Sequence, residues 1–159
     1  MRKLKLYLDT SMISHLFADD AHEKMADTNE LWNDFITGKY ELFISPIVTD
    51  ELEKCAEPKR SLLYQKLGQI QFKILNNASE VEMLAHEYIK GGVLKEKSLD
   101  DCFHIAFAVV YDCDIIVSWN FKHLVNYKTM SKVKIVNAIN QYREIGILSP
   151  TMLLEEDII

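Results

Sequence analysis

At 159 residues, 48% of them hydrophobic and 26% charged, the chain has the size and composition of one globular domain, long enough to bury about two-thirds of its unfolded surface. Its net charge of −6 argues against a generally basic nucleic-acid binder, no apolar run nears the roughly 20 residues of a membrane span, and MRKLKLYLD meets Asp9 before a signal-peptide core can form. A cytoplasmic protein without membrane attachment is expected, and Cys55, Cys102 and Cys113, odd in number and lacking CxxC spacing, read as reduced thiols rather than disulfides or a zinc site.

Residues 3–8 alternate basic and apolar side chains and then turn apolar, which predicts a strand whose last residue is Asp9. Met12, Ile13, Leu16 and Phe17 then mark a short helical turn, so Asp9 stands at a strand-to-helix junction. It either caps that helix or faces a site at the carboxyl end of the strand. A helix is predicted over 22–37, with Met25, Leu31, Trp32, Phe35 and Ile36 as its apolar stripe and Gly38 as its stop. Residues 41–44 read as a second strand, and Ser45-Pro46 opens the next helix with an N-cap and a Pro at its first position. At about 100° per residue, Glu51 falls between Ile47 and Cys55, inside the apolar arc that Val48 and Leu52 complete. An inward carboxylate is costly unless it is paired, with a nearby Lys for instance, or bound to a metal.

Pro58 opens a helix over 59–69 with Leu62, Leu63 and Leu67 as its apolar positions. Residues 72–75 follow as a third strand, and a helix over 79–90 runs through Val81, Leu84, Ala85 and Tyr88 to Gly91-Gly92. From Leu99 to Tyr111 the only side chains that are neither apolar nor Cys are Asp100, Asp101 and His104, so this helix belongs in the core. Ser98 is a natural N-cap and Asp101 completes a near-capping box with it, which leaves Asp101 either a cap or a buried functional acid. A turn over 112–114 leads to a buried strand over 115–118, with Trp119-Asn120 at its carboxyl end. FKHLVNYK reads as a basic loop or turn, and a helix over 130–145 presents Val133, Val136, Ile139 and Tyr142, with Asn137 and Asn140 beside that face. Residues 147–148 form an edge strand, and the domain of residues 1–148 is followed by an acidic tail over 149–159 with Met152, Leu153 and Leu154 as apolar positions.

Strands alternating with helices predict an α/β fold: a three-layer sandwich with a mostly parallel central sheet and helices on both faces. Asp9 and Asn120 then sit at carboxyl ends of strands, and Glu51 and Asp101 in early turns of helices that begin at that end. Three crowded carboxylates need a countercharge, and an oxygen-only set selects a hard cation, Mg²⁺ or Mn²⁺. Such an ion bridges acidic protein and anionic substrate and activates water for phosphodiester hydrolysis. Charge along the chain is uneven: residues 54–73 and 119–146 each carry five Lys/Arg against one Asp/Glu, whereas residues 1–53 carry five against eleven. This is either a cationic rim around an acidic pocket or a set of solvated faces. A phosphatase or receiver-type pocket fits less well, since Asp9-Thr10-Ser11 is not DxD.

Leu8-Asp9-Thr10-Ser11, Ser45 to Glu51-Leu52, Asp101-Cys102-Phe103-His104-Ile105-Ala106 and Val117 to Leu124, in that order over nearly the whole chain, resemble PIN-domain proteins of the VapC type, toxin ribonucleases of bacterial toxin-antitoxin pairs. The resemblance implies a metal-dependent endoribonuclease acting on RNA, the toxin of a type II pair, with Asp9, Glu51 and Asp101 holding one or two Mg²⁺ or Mn²⁺ ions. Asn120 stands where many members have a fourth acid; its amide can coordinate or orient water but brings no charge. Thr10 and Ser11 resemble groups that support a ligand carboxylate or position water. Lys122, His123 and Lys128 are candidate RNA contacts, with Lys132 and Lys134 further candidates for phosphate, though His123 equally suits an acid partner and the lysines a solvated face. His104 reads as a satisfied core histidine, and His15, His22 and His86 as incidental. A cognate antitoxin and a homodimer are also implied. The alternative is a non-catalytic module of the same fold that binds RNA or protein, its metal binding weakened by Asn120.

Overall fold

Five short apolar segments, Lys5–Leu8 (β1), Glu41–Ile44 (β2), Lys73–Ile74 (β3), Ile115–Val117 (β4) and Gly146–Leu148 (β5), pair in the computed structural model, which describes residues 2–156. They form one wholly parallel sheet in the order β3-β2-β1-β4-β5, with Tyr7 opposite Phe43 on one side and Ile116 on the other. Leu6, Tyr7 and Leu8 are fully buried, as expected of a central parallel strand covered on both faces. The chain lays β2 and β3 to one side of β1 and β4 and β5 to the other, so the strand order reverses between β1 and β4. That reversal opens a crevice at the carboxyl ends of these two strands.

The helices are Thr10–Ser14 (α1), His22–Ile36 (α2), Pro46–Glu53 (α3), Lys59–Leu67 (α4), Ser79–Lys90 (α5), Leu99–Val110 (α6), Tyr127–Ile139 (α7) and Pro150–Glu156 (α8). They cover both faces of the sheet as a three-layer sandwich: α5 packs on α6 and α7, and α2 packs on α8. No helix among the described residues is long and apolar enough to cross a membrane. Gly91 is required where α5 passes α7, because a Cβ there would lie 2.7 Å from the Val136 side chain. A buried polar link also joins these helices, the Tyr88 hydroxyl donating to Asn137 Oδ1 at 2.5 Å. Burial in this apolar setting pushes the Cys102 and Cys113 thiols up to about 12, so both stay protonated.

Several expectations are corrected. The last long helix starts three residues earlier than its apolar pattern indicates, because Asn126 caps it by accepting the Thr129 N–H, and it stops at Ile139, before Gln141 takes a positive φ of 65°. Ile139 is accordingly 73% exposed and Ile36 of α2 48% exposed, so neither belongs to its predicted apolar stripe. Ser45 and Ser98 stand at N-cap positions but make no side-chain capping bond. The C-terminal segment forms α8, with Leu153 buried and the Thr151 hydroxyl donating to Asp27 on α2 at 2.5 Å; the last three residues of the predicted tail, 157–159, lie outside the described residues.

Candidate active site

β1 ends one residue before Asp9, whose carboxylate is 3% exposed in the crevice between β1 and β4. It accepts from Ser11 Oγ (2.7 Å) and Met12 N (3.1 Å) on one oxygen and from Ser118 Oγ (2.6 Å) on the other. Burial raises its pKa, against the opposing pull of His104 and of these three donors. Asp9 therefore does cap α1, and it does so while standing at the switch point. The two serines also stitch the strand ends together: Trp119 N donates to Ser11 Oγ at 2.8 Å and Asn120 N to Ser118 Oγ at 2.9 Å.

Glu51, two turns into α3, turns its half-buried side chain toward the same edge. Its Oε1 accepts from the Thr10 hydroxyl at 2.9 Å and lies 3.0 Å from His104 Nε2. Burial opposes ionisation of Glu51, but the bond and charge of His104, with Thr10 and Lys54, outweigh it and lower its pKa. For His104, burial pulls downward, yet the hydrogen bond to Glu51 and the charges of Asp9, Glu51 and Asp101 carry its pKa above the ordinary value. The other imidazole nitrogen, Nδ1, is 2.7 Å from the Tyr7 hydroxyl, which is 2.8 Å from Ser45 Oγ. A buried line Ser45–Tyr7–His104–Glu51 thus runs from the sheet to the crevice.

Asp101, in the first turn of α6, is held from the β4 side. His123 Nδ1 lies 2.8 Å from its Oδ2, and Asn120 Nδ2 approaches its Oδ1 at 3.5 Å. Asn120 Oδ1 in turn accepts the His123 N–H at 3.0 Å. The proposed capping box with Ser98 gives way to this contact. Of the lysines proposed to touch phosphate, Lys122 and Lys128 are exposed, whereas Lys132 donates to Gly92 O and Lys134 pairs with Glu144. The expected cationic rim is thinned accordingly.

Asp9, Glu51, Asp101 and Asn120 thus lie along one sheet edge, joined through Thr10, Ser11, Ser118, His104 and His123. As the side chains stand, no group of three or more His, Cys, Asp or Glu residues among those described is placed to hold a metal ion. The acids are bonded to imidazoles and hydroxyls instead of converging on one point. The donor chemistry still fits a hard cation: three carboxylates and an amide, with Glu51 Oε2 lacking a hydrogen-bond partner among the described residues and Asp101 Oδ1 meeting only the long Asn120 contact. Tyr7 and Ser118 join the site without a sequence signal, and Ser45, expected as an N-cap, serves instead in the line to His104; a Tyr inside an apolar strand carries no signal beyond core packing.

An all-parallel sheet with acids gathered at its switch point defines the class, an α/β domain with an acidic crevice at the carboxyl edge. Residues 6–122 match the model of the PIN domain family, and the chain belongs to that family. Among solved structures it is similar to VapBC2 from Rickettsia felis bound to a DNA fragment from their promoter, at 12% identity and a TM-score of 0.56 over 92% of this chain and 98% of that one. No curated protein matches the chain.

Proposed function

We propose that this protein is a Mg²⁺- or Mn²⁺-dependent endoribonuclease and the toxin of a type II toxin-antitoxin pair, acting in the cytoplasm. The observation that carries the reading is the set Asp9, Glu51 and Asp101, supplied by three separate segments to one crevice of a PIN-family domain. Asp9, Glu51 and Asp101 would hold the ion, with Asn120 as a neutral fourth donor. When bound, it would polarise a phosphoryl oxygen and lower the pKa of its water.

The chain's own residues have distinct tasks in this reading. Ser11, Ser118 and Met12 N fix Asp9 so that its carboxylate meets the crevice in one orientation. Thr10 and His104 do the same for Glu51, and His123 for Asp101. Admission of a cation requires Glu51 and Asp101 to turn from their imidazoles toward a shared point, and the half-exposed Glu51 side chain has room to do so. Likeness to a VapBC complex supports an antitoxin partner, for which the acidic crevice suits a basic side chain; a homodimer belongs to the same reading.

The test is cleavage of structured RNAs with Mn²⁺ or with EDTA by wild type, Asp9→Asn and Asp101→Asn. Cleavage by the wild type alone, and only with the ion, is expected; activity retained in both variants overturns the assignment. Asn120, neutral where an acid would add charge, favours the second reading, a module that binds RNA without cutting it. RNA binding by the wild type with weak or no Mn²⁺ binding and no cleavage would select that reading.

A further inference from the structure

Immediately beyond β4 the chain carries two aromatic rings on either side of Asn120. Trp119 is buried, its indole N–H donating to Thr28 Oγ1 on α2 at 2.7 Å and its backbone N–H to Ser11 Oγ. Phe121 packs on it with ring centroids 6.1 Å apart, yet 44% of Phe121 is exposed. Lys24 of α2 holds its ammonium over both rings, 5.6 Å from the Trp119 centroid and 5.3 Å from that of Phe121, and the His15 ring lies 5.8 Å from Trp119. Lys122, next in sequence, is exposed.

We propose that Phe121, backed by Trp119 and Lys24, is a stacking platform for an unpaired nucleobase of single-stranded RNA at the mouth of the acidic crevice. The ligand's identity rests on the ribonuclease reading; the platform itself rests on Phe121, Trp119 and Lys24. A phenyl ring 44% exposed, with an ammonium group held over it, matches what a nucleotide presents, a flat π-face joined to a phosphate. Trp119 is fixed by two hydrogen bonds, so the surface beneath Phe121 is ordered before any ligand arrives and little entropy is lost on stacking. Lys24 and Lys122 supply positive charge to offset the acids of that edge, which a polyanion requires there. A base in a duplex hides both faces in its own stack, so the platform distinguishes single strands from duplexes. Asn120, between the two rings, ties this platform to Asp101.

The experiment is equilibrium binding, by fluorescence anisotropy in EDTA so that nothing is cleaved, of a labelled single-stranded oligouridylate and of a duplex RNA of equal length. Phe121→Ala is expected to weaken single-strand binding about ten-fold or more and duplex binding far less, while Phe121→Tyr keeps wild-type affinity. Lys24→Gln should lower the slope of log affinity against log salt by about 0.7, one phosphate contact. Unchanged single-strand affinity in Phe121→Ala, or equal losses for single strand and duplex, overturns the platform. Thermal unfolding of each variant checks that the fold is intact. Hydrolysis of bis(p-nitrophenyl) phosphate by the wild type with Mn²⁺, measured in parallel, tests the ribonuclease reading separately: no hydrolysis alongside Phe121-dependent binding removes that reading and keeps the platform.

Discussion

Tyr7 and Asp9 are two residues apart, so the alternation of β1 sends both toward the same side of the sheet, at different depths in the site. Asp9 looks into the crevice, and Tyr7 reaches it only through His104. Tyr7→Phe removes the one hydroxyl that joins Ser45 Oγ and His104 Nδ1, both buried, and leaves two polar atoms without their partner. A loss of about 1–3 kcal/mol in urea unfolding is expected, with cleavage reduced as Glu51 loses its fixed imidazole; a variant as stable as wild type would show that the line is not a structural unit. Of the site, the sequence made legible the charged members. Glu51 stood out because a carboxylate on an apolar arc conflicts with burial, and Asp101 because it opens an almost wholly apolar helix. Ser118 and Tyr7 stayed hidden because a serine at a strand end and a tyrosine in a core strand are ordinary until tertiary structure sets them against Asp9 and His104. Of the two roles read for Asp9, the cap is seen: one oxygen accepts the Met12 N–H while the other accepts from Ser118.

Elements are fixed by their end groups as much as by their apolar stripes. Asn126 accepts from Thr129 N and donates to the carbonyls of Phe121 and Lys122, so a single side chain starts α7 and closes the loop that carries Asn120 and His123. Asn126→Ala should cost about 1 kcal/mol of stability and speed amide exchange across residues 121–126; normal exchange there would separate the cap from the loop. Asp114 plays a comparable part where β1 meets β4, accepting the Lys5 N–H and two bonds from Arg2, all at 2.8 Å. The Arg2 bond, opposed by burial and aided by Lys5 N–H, holds the Asp114 carboxyl down at about 2. A depressed carboxylate pKa stabilises the fold above the ordinary value near pH 4 and loses that contribution as pH falls toward 2. Asp114→Asn should therefore lower Tm by roughly 2–4 °C at pH 7, for a contribution of about 1 kcal/mol, and by much less at pH 2, where the carboxyl is about half protonated. The strands and α2, α3, α5 and α6 were legible because apolar periodicity and Gly or Pro punctuation coincide in them. The bounds of α7 were not: Val133 and Val136 fix its face, but a cap three residues upstream of the apolar run and a left-handed Gln141 leave no periodic trace.

For the whole molecule, a net charge of −6 is compatible with binding a polyanion only if charge is sorted by place. The sheet order does this sorting for the acids, since the reversal between β1 and β4 brings Asp9, Glu51 and Asp101 to one edge, and the proposed platform adds Lys24 and Lys122 to it. Much of the remaining positive charge is spent elsewhere, Arg143 on Asp112, Lys134 on Glu144 and Arg2 on Asp114. A cation shared by Asp9, Glu51 and Asp101 would have its full ligand set only in the folded chain, because three separate segments supply the three side chains. A divalent ion held by that set would bind the native form selectively and raise its stability by mass action. At free Mn²⁺ of 100 times its dissociation constant the gain is about 2.7 kcal/mol, or roughly 5–10 °C in Tm for a domain of this size. Screening by salt gives a much smaller and ion-independent shift, so KCl at equal ionic strength is the control. Asp101→Asn removes one of the three carboxylates; it should melt close to wild type without the ion and gain little from it. Equal Tm gains for wild type and Asp101→Asn, or none beyond the KCl control, would mean that these carboxylates do not act together on a cation.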